Sequence, residues 1–438
     1  MKILFVALSV ALGWGLRGEI GGEQGALIPG VLLGLSLALS SGKESWIKNI
    51  AIIGSASAFG MSLGGIQSYG LLIGYTMCRD MLNVTYGYLM LAIVGGLWGA
   101  FAGGILGMVL PGEKLRIRFW VPLIIILYIG GELCYYILIE LIGIRMTPPR
   151  AENWAWVLGA ILALLAVNIY LKDTRTVRLV LKGFLAGGIG FMFGESLQVY
   201  GRFLGPEFDW WKVMEISFGF VMGGGLAIAI FTEFEGEEKQ WEVSSATHIL
   251  AILVVTAFVP LVTLYNMLEG FEEKQILLRT TLWQDPYFNI LLRGVALAIL
   301  SLLILFATEK RKGLIGKLDI HNLGIFLFTW SVWSNGWITQ MKMALPQQGT
   351  TSVIIHYIFL LIMILLSVWS VWKIPAPTSG QLTETQACTV CPIRKGLTNT
   401  AVVLLLILII IPLLALLFAG TSILTHTGVM PPNIRPRF

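Results

Sequence analysis

The chain has 438 residues, of which 56% are hydrophobic and 13% charged, with a formal net charge of +5. Its mean hydropathy is +0.81. Ordinary soluble domains are about 45–50% apolar and about 25% charged, so this composition excludes a soluble globule, a disordered chain and a nucleic-acid-binding protein. Four cysteines in this length make no disulfide framework.

The apolar runs are long and continuous, which predicts an all-α, polytopic membrane protein rather than a barrel of alternating strands. A bilayer core of about 30 Å takes about 20 helical residues. In chain order the expected spans lie near 2–17, 25–40, 49–72, 86–110, 119–142, 154–171 and 178–198. They continue near 211–232, 246–268, 289–308, 322–342, 353–372 and 397–419, about 13 in all. The first two are short and read either as two helices or as one broken or re-entrant element. Residues 1–16 open like a signal peptide, but Gly13–Trp14–Gly15 runs straight into a charged motif, so the segment is kept as mature structure.

Arginine and lysine mark the cytoplasmic side. With the N-terminus inside a cell membrane, Lys43, Lys48, Arg175, Arg178 and Lys182 all fall on inner loops. The acidic stretch Glu233–Glu242 also falls inside, and acids do not vote. Composition divides the chain into an N-terminal bundle half (1–171), a middle unit (172–308) and a C-terminal unit (309–438) with a Pro/Ser/Thr linker at 375–396.

Two segments share a pattern. Gly60–Gly74 contains Gln67–Ser68–Tyr69–Gly70, and Gly190–Gly205 contains Gln198–Val199–Tyr200–Gly201. Each is followed by a glycine-rich helix, as expected of internal parallel repeats of helical hairpins. Weaker echoes occur at Gly18–Glu19 and at Trp337–Lys342. Glycines spaced by four also serve close helix packing alone.

Ionisable groups within spans are costly and persist when paired or when lining a wet cavity. The densest cluster is Arg17–Gly18–Glu19, followed by Gly22–Glu23–Gln24–Gly25. Glu19 and Glu23 would share a helix face only if the helix continued, and the glycines argue for a break. Gln67, Tyr69, Glu132, Glu195, Gln198, Tyr200, Trp337 and Gln340 join them as candidate binding residues, converging in the outer half of the bundle. Glu140, Glu215, Arg293, His356 and Lys342 read better as interfacial or snorkelling groups.

No zinc, Walker, nucleophile-elbow or histidine-box pattern is present, so neither metal nor cofactor is expected. The Cys388–Thr389–Val390–Cys391 pair lacks a second pair and reads as free thiols. The reading that fits best is a secondary transporter, proton-coupled through buried carboxyls, moving a small polar solute (sugar-like or organic acid). The alternatives are a membrane-embedded enzyme acting on a lipid-linked substrate by glycosyl or acyl transfer, and a non-catalytic scaffold. The expected partners are therefore that solute or lipid-linked substrate and the bilayer, with no nucleic acid.

Overall fold

The computed structural model describes residues 1–113, 117–205, 207–272, 320–340, 350–374 and 392–425. Every regular element among them is helical, and eight helices are long and apolar enough to cross a membrane. The span expected at 289–308, Lys342, Arg293, the Cys388–Cys391 pair and linker residues 375–391 lie outside the described residues.

The chain opens with the hairpin α1 (Lys2–Arg17) and α2 (Gly22–Ser40). At about 1.5 Å per residue the 16 residues of α1 reach only about 24 Å. The turn between them uses Gly21 and Gly22 at φ 82° and 57°, where a side chain is strained. Glu19 and Glu23 therefore do not sit on one continuing helix. A short α3 (Glu44–Lys48) leads into α4 (Ile50–Gly64) and α5 (Gly70–Thr76).

The expected span 49–72 is thus broken at Gly65–Tyr69. Both halves lie along α6 (Met81–Val109), with Gly60 against Phe101 and Ile105, Gly64 against Trp98 and Thr76 against Gly87. Asp80 caps α6, its carboxylate accepting from the backbone N–H groups of Leu82 and Asn83 at 3.0 and 3.1 Å.

α7 (Ile117–Tyr135) ends in a wide turn, Tyr136–Leu141, and pairs with α8 (Trp154–Tyr170). The two longest middle helices follow, α9 (Thr174–Leu204) and α10 (Trp210–Glu233). α11 (Ser245–Leu253) and α12 (Val259–Glu272) flank the wide turn Val254–Phe258. α13 (Ile320–Thr339), α14 (Thr350–Trp372) and α15 (Pro392–Thr425) complete the described chain. The last residues of the expected linker, 392–396, open α15 instead.

Packing builds a closed ring, α1–α2–α4–α6–α9–α10 and back to α1. Glycines set its spacing. A methyl on Gly99 would come within 2.0 Å of the Gly183 carbonyl oxygen, and one on Gly187 within 2.0 Å of the Gly95 carbonyl oxygen. Gly219 and Gly223 admit α1 to α10, and Gly30 and Gly34 admit α2 to α4. Small residues at such crossings let backbones approach and gain dispersion contacts that lipid does not supply. α7, α11 and α15 ride outside, presenting exposed Ile124, Ile125, Leu250, Leu253, Leu405 and Leu408.

The ring closes at one end with an ionic clasp. The Glu233 carboxylate takes Arg178 Nε and Nη2 at 3.0 and 2.6 Å and also Lys182. Arg175 pairs with Glu237, and Lys43 Nζ donates to the Phe234 carbonyl and, at 2.5 Å, to that of Glu237. The Ser45 backbone N–H donates to Glu238 at 3.0 Å. The acidic stretch thus neutralises the basic residues that mark this end. Burial holds the Lys43 ammonium below the ordinary lysine range, against the raising influence of Glu237 and Glu238.

Gly187→Val would force α9 off α6 and is expected to cost about 3 kcal/mol, the upper end for overpacking. Gly205→Ala, which meets open space, should be near neutral. Thermal unfolding of the detergent-purified chain distinguishes them.

Candidate functional site

Inside the ring lies an aromatic plug. Trp14 of α1 meets Trp98 of α6 edge-on with centroids 4.7 Å apart, and Phe218 of α10 at 4.5 Å. Phe191 of α9 stacks on Phe218 at 4.7 Å. Tyr69, at the break in the α4–α5 span, touches Phe191 at 5.2 Å and Trp98 at 5.9 Å.

Arg17 points into this plug from the last turn of α1. Its guanidinium carbon sits 5.4 Å from Trp14, 5.4 Å from Tyr69 and 5.3 Å from Trp98, distances suited to cation–π attraction. Nη1 donates to the Tyr69 hydroxyl at 2.5 Å, and Nη2 to the Gly22 carbonyl at 3.4 Å. The nearest Glu215 oxygen is 3.9 Å away, beyond hydrogen-bond reach.

Lys212 completes the cluster. The Asp209 carboxylate caps α10 by accepting from the Lys212 backbone N–H at 3.2 Å, which fixes the first turn. Lys212 Nζ then meets Glu19 at 3.0 Å and Glu215 at 3.1 Å. The Trp211 indole N–H donates to Glu215 at 3.0 Å. Among the described residues, two cations and two carboxylates are thereby gathered from the end of α1, the α1–α2 turn and α10. Gly18 makes the approach possible, since a methyl there would lie 1.7 Å from Glu215 Oε2.

Gln67 sits in the same break. Its amide N–H₂ donates to the Gly64 carbonyl at 2.8 Å and to Val94 at 3.4 Å, while its carbonyl oxygen is buried without a partner. Val94 adjoins Gly95, the midpoint of the 29-residue α6, so the break reaches about halfway along a helix long and apolar enough to cross a membrane. Gly65 packs against Glu23 and Ala26, and Ser62 donates to the Glu23 carbonyl at 2.9 Å. The α1–α2 turn and the α4–α5 break therefore meet.

A second polar group lies across α5. Glu195 is fully buried in α9, and the Thr76 hydroxyl donates to it at 2.5 Å. With its amide oriented to satisfy both neighbours, Gln198 donates to Glu195 at 2.9 Å and accepts from Arg202 at 2.9 Å. Gln198 thus relays between carboxylate and guanidinium. Unlike Gln67–Gly70, the Gln198–Gly201 stretch stays inside an unbroken helix.

Other expected residues fall elsewhere. Glu132 is not brought to the plug. It lies exposed on α7, accepting from the Trp156 indole at 3.2 Å, because α7 turns Gly130, Gly131 and Cys134 toward α8. Gln24 is exposed and Glu23 half-buried at the start of α2. Tyr200 donates to Thr421 of α15. Trp337 packs on Trp333 at 5.5 Å, and Gln340 donates to the His356 carbonyl at 3.2 Å, forming a seam between α13 and α14.

Sequence reasoning missed Lys212 and set aside Glu215. The available signal was Lys212–x–x–Glu215 spacing at the head of a glycine-rich helix. Among the described residues no His, Cys, Asp and Glu grouping could hold a metal ion. No protein-family model, curated protein or solved structure matches this chain.

Gly18→Ala should push Glu215 away from Lys212 and cost about 1–3 kcal/mol. Shortening the carboxylate with Glu215→Asp should recover part of the loss. Detergent thermal unfolding reads both, and an unchanged midpoint in Gly18→Ala would contradict the geometry.

Proposed function

We propose that this chain is a secondary transporter of a small polar solute, in a conformation closed at its basic end. One observation carries the reading. The helical segment α4–α5 is interrupted near the midpoint of its partner α6, and the interruption meets a glycine turn beside the buried Arg17, Lys212 and Glu215 cluster. Interrupted helices free backbone groups for a substrate at mid-depth, and an intramembrane charge cluster marks a transport pathway.

The basic end is taken as cytoplasmic, which places the N-terminus inside a cell membrane. The Glu233–Glu238 clasp then serves as the inner gate. Alternating access needs the inner side closed in one state, and opening of this clasp is the proposed exit step. The Gln198-relayed Glu195 is the proposed coupling carboxyl.

A second reading has one feature in its favour. Two clefts lie beside α4, of about 480 and 690 Å³. Gln24, Ser62 and Asn266 line the first, and Trp120, Leu123 and Leu250 the second. Such clefts suit an enzyme drawing a lipid-linked substrate, although neither is lined by Arg17, Lys212 or Glu215.

Proteoliposome uptake of a labelled panel of sugars, organic acids and amino acids tests the proposal. At least one solute should accumulate unchanged, and Arg17→Gln should abolish that uptake while Glu132→Gln preserves it. Glu195→Gln should retain solute exchange but lose accumulation driven by a proton gradient. Failure of every solute to accumulate, or recovery of a chemically altered product, would overturn transport.

A further inference from the structure

We infer that the larger cleft, walled by α4, α6, α7 and α11, binds an amphipathic organic cation: an apolar body bearing an onium group. The site is separate from the Arg17 cluster, and the inference stands or falls independently of transport.

The cleft holds about 690 Å³, inside the range of about 300–1,000 Å³ typical of small-molecule sites. Its wall is apolar and rich in rings, with Phe59, Phe101, Trp120, Tyr128 and Trp156. Phe59, Ile124, Tyr128 and Leu250 line it and are exposed. The cleft is therefore reached from the apolar flank of the molecule, without passage through the helix ring.

Two of the lining rings hold a carboxylate at its edge. Glu132, one turn after Tyr128 on α7, accepts from the Trp156 indole N–H at 3.2 Å and is hydrogen-bonded to the Tyr128 hydroxyl. Both partners are neutral. Glu132 is exposed, nine residues before the end of a segment long and apolar enough to cross a membrane. An ionisable group at such a position is costly and persists where a counter-charge meets it. Among the described residues no lysine, arginine or histidine forms an ion pair with it. A cationic ligand meets that need.

The surroundings favour an onium group. Tyr128 and Trp156 meet edge-on beside the carboxylate, with centroids 6.3 Å apart. Gly131 seats the Trp156 indole, since a methyl there would come within 2.5 Å of the ring. Aromatic faces attract ammonium and its alkylated relatives. Among the described residues no lysine or arginine lies over either ring.

An anion or a polyol finds little here. No lysine, arginine or histidine lines the cleft. The Ser55 hydroxyl is committed to the Ala51 and Ala251 carbonyls at 2.8 and 3.1 Å, and the Thr247 hydroxyl is shared with Ser244 at 2.9 Å.

The test is saturable binding of tetraphenylphosphonium to the purified full chain in detergent, read by equilibrium dialysis. Tetraphenylborate has the same shape and the opposite charge, triphenylphosphine oxide is uncharged, and choline lacks the apolar body. Tetraphenylphosphonium should bind about tenfold or more tighter than each of the three. Glu132→Gln should bring it down to the level of triphenylphosphine oxide, and Glu132→Asp should keep part of the preference. Ala56→Phe, which fills the cleft from α4, should weaken both compounds.

Equal binding of any comparison compound, an undiminished preference in Glu132→Gln, or undiminished binding in Ala56→Phe would overturn the inference. So would the absence of saturable tetraphenylphosphonium binding, the result expected if another part of the chain fills the cleft. If solute accumulates in proteoliposomes and tetraphenylphosphonium does not bind, transport stands and this site falls. If it binds as described and no solute accumulates, the reverse holds.

Discussion

A guanidinium buried among tryptophans dictates much of this molecule. Arg17 sits at the end of the 16-residue α1, with its charge buried inside a ring of apolar helices. In such a place a cation survives through ring faces, hydrogen-bond acceptors and nearby carboxylates. The chain supplies all of these from distant segments: Trp14 locally, Tyr69 from a helix break, Trp98 from α6 and Glu215 from α10. Lys212 then offsets the surplus of carboxylate that Glu19 and Glu215 would otherwise leave.

The glycine contacts and the charge cluster are two sides of one constraint. Backbones that approach as closely as Gly99 and Gly183 leave little room for water between helices. Polar groups trapped in the ring must then find protein partners. Gln198 meets this demand by bridging Glu195 to Arg202, and the clasp at the basic end meets it by pairing Glu233 with Arg178 and Lys182. Three of the buried atoms that escape it, Arg17 Nε and the Trp14 and Trp98 indole N–H groups, lie together at the plug.

The helical class and the position of eight helices long and apolar enough to cross a membrane were legible in hydropathy. Grouping was legible in part: Arg17, Glu19, Tyr69 and Gln67 were expected near one site and are drawn from segments that meet. Direction around a helix was not. Glu132, expected at the same site, faces outward, since a window average carries no azimuth. The break at Gly65–Tyr69 was hidden for the same reason: apolar residues on both sides averaged it into one span, while the glycines at 18–25 drew attention to the other turn. Lys212 escaped because a lysine in the first turn of a spanning helix ordinarily reaches for headgroups. Here the adjacent α1–α2 turn covers it.

The most direct measurement is the stability of paired against single neutralisation in the charge cluster. Lys212→Met alone should cost about 3–5 kcal/mol, the range for stranding a buried charge. Lys212→Met with Glu215→Met, which removes one cation and one carboxylate together, should cost clearly less than the single change. Equal or additive losses in thermal unfolding would mean that these side chains do not share one dry interior, and would contradict the site described here.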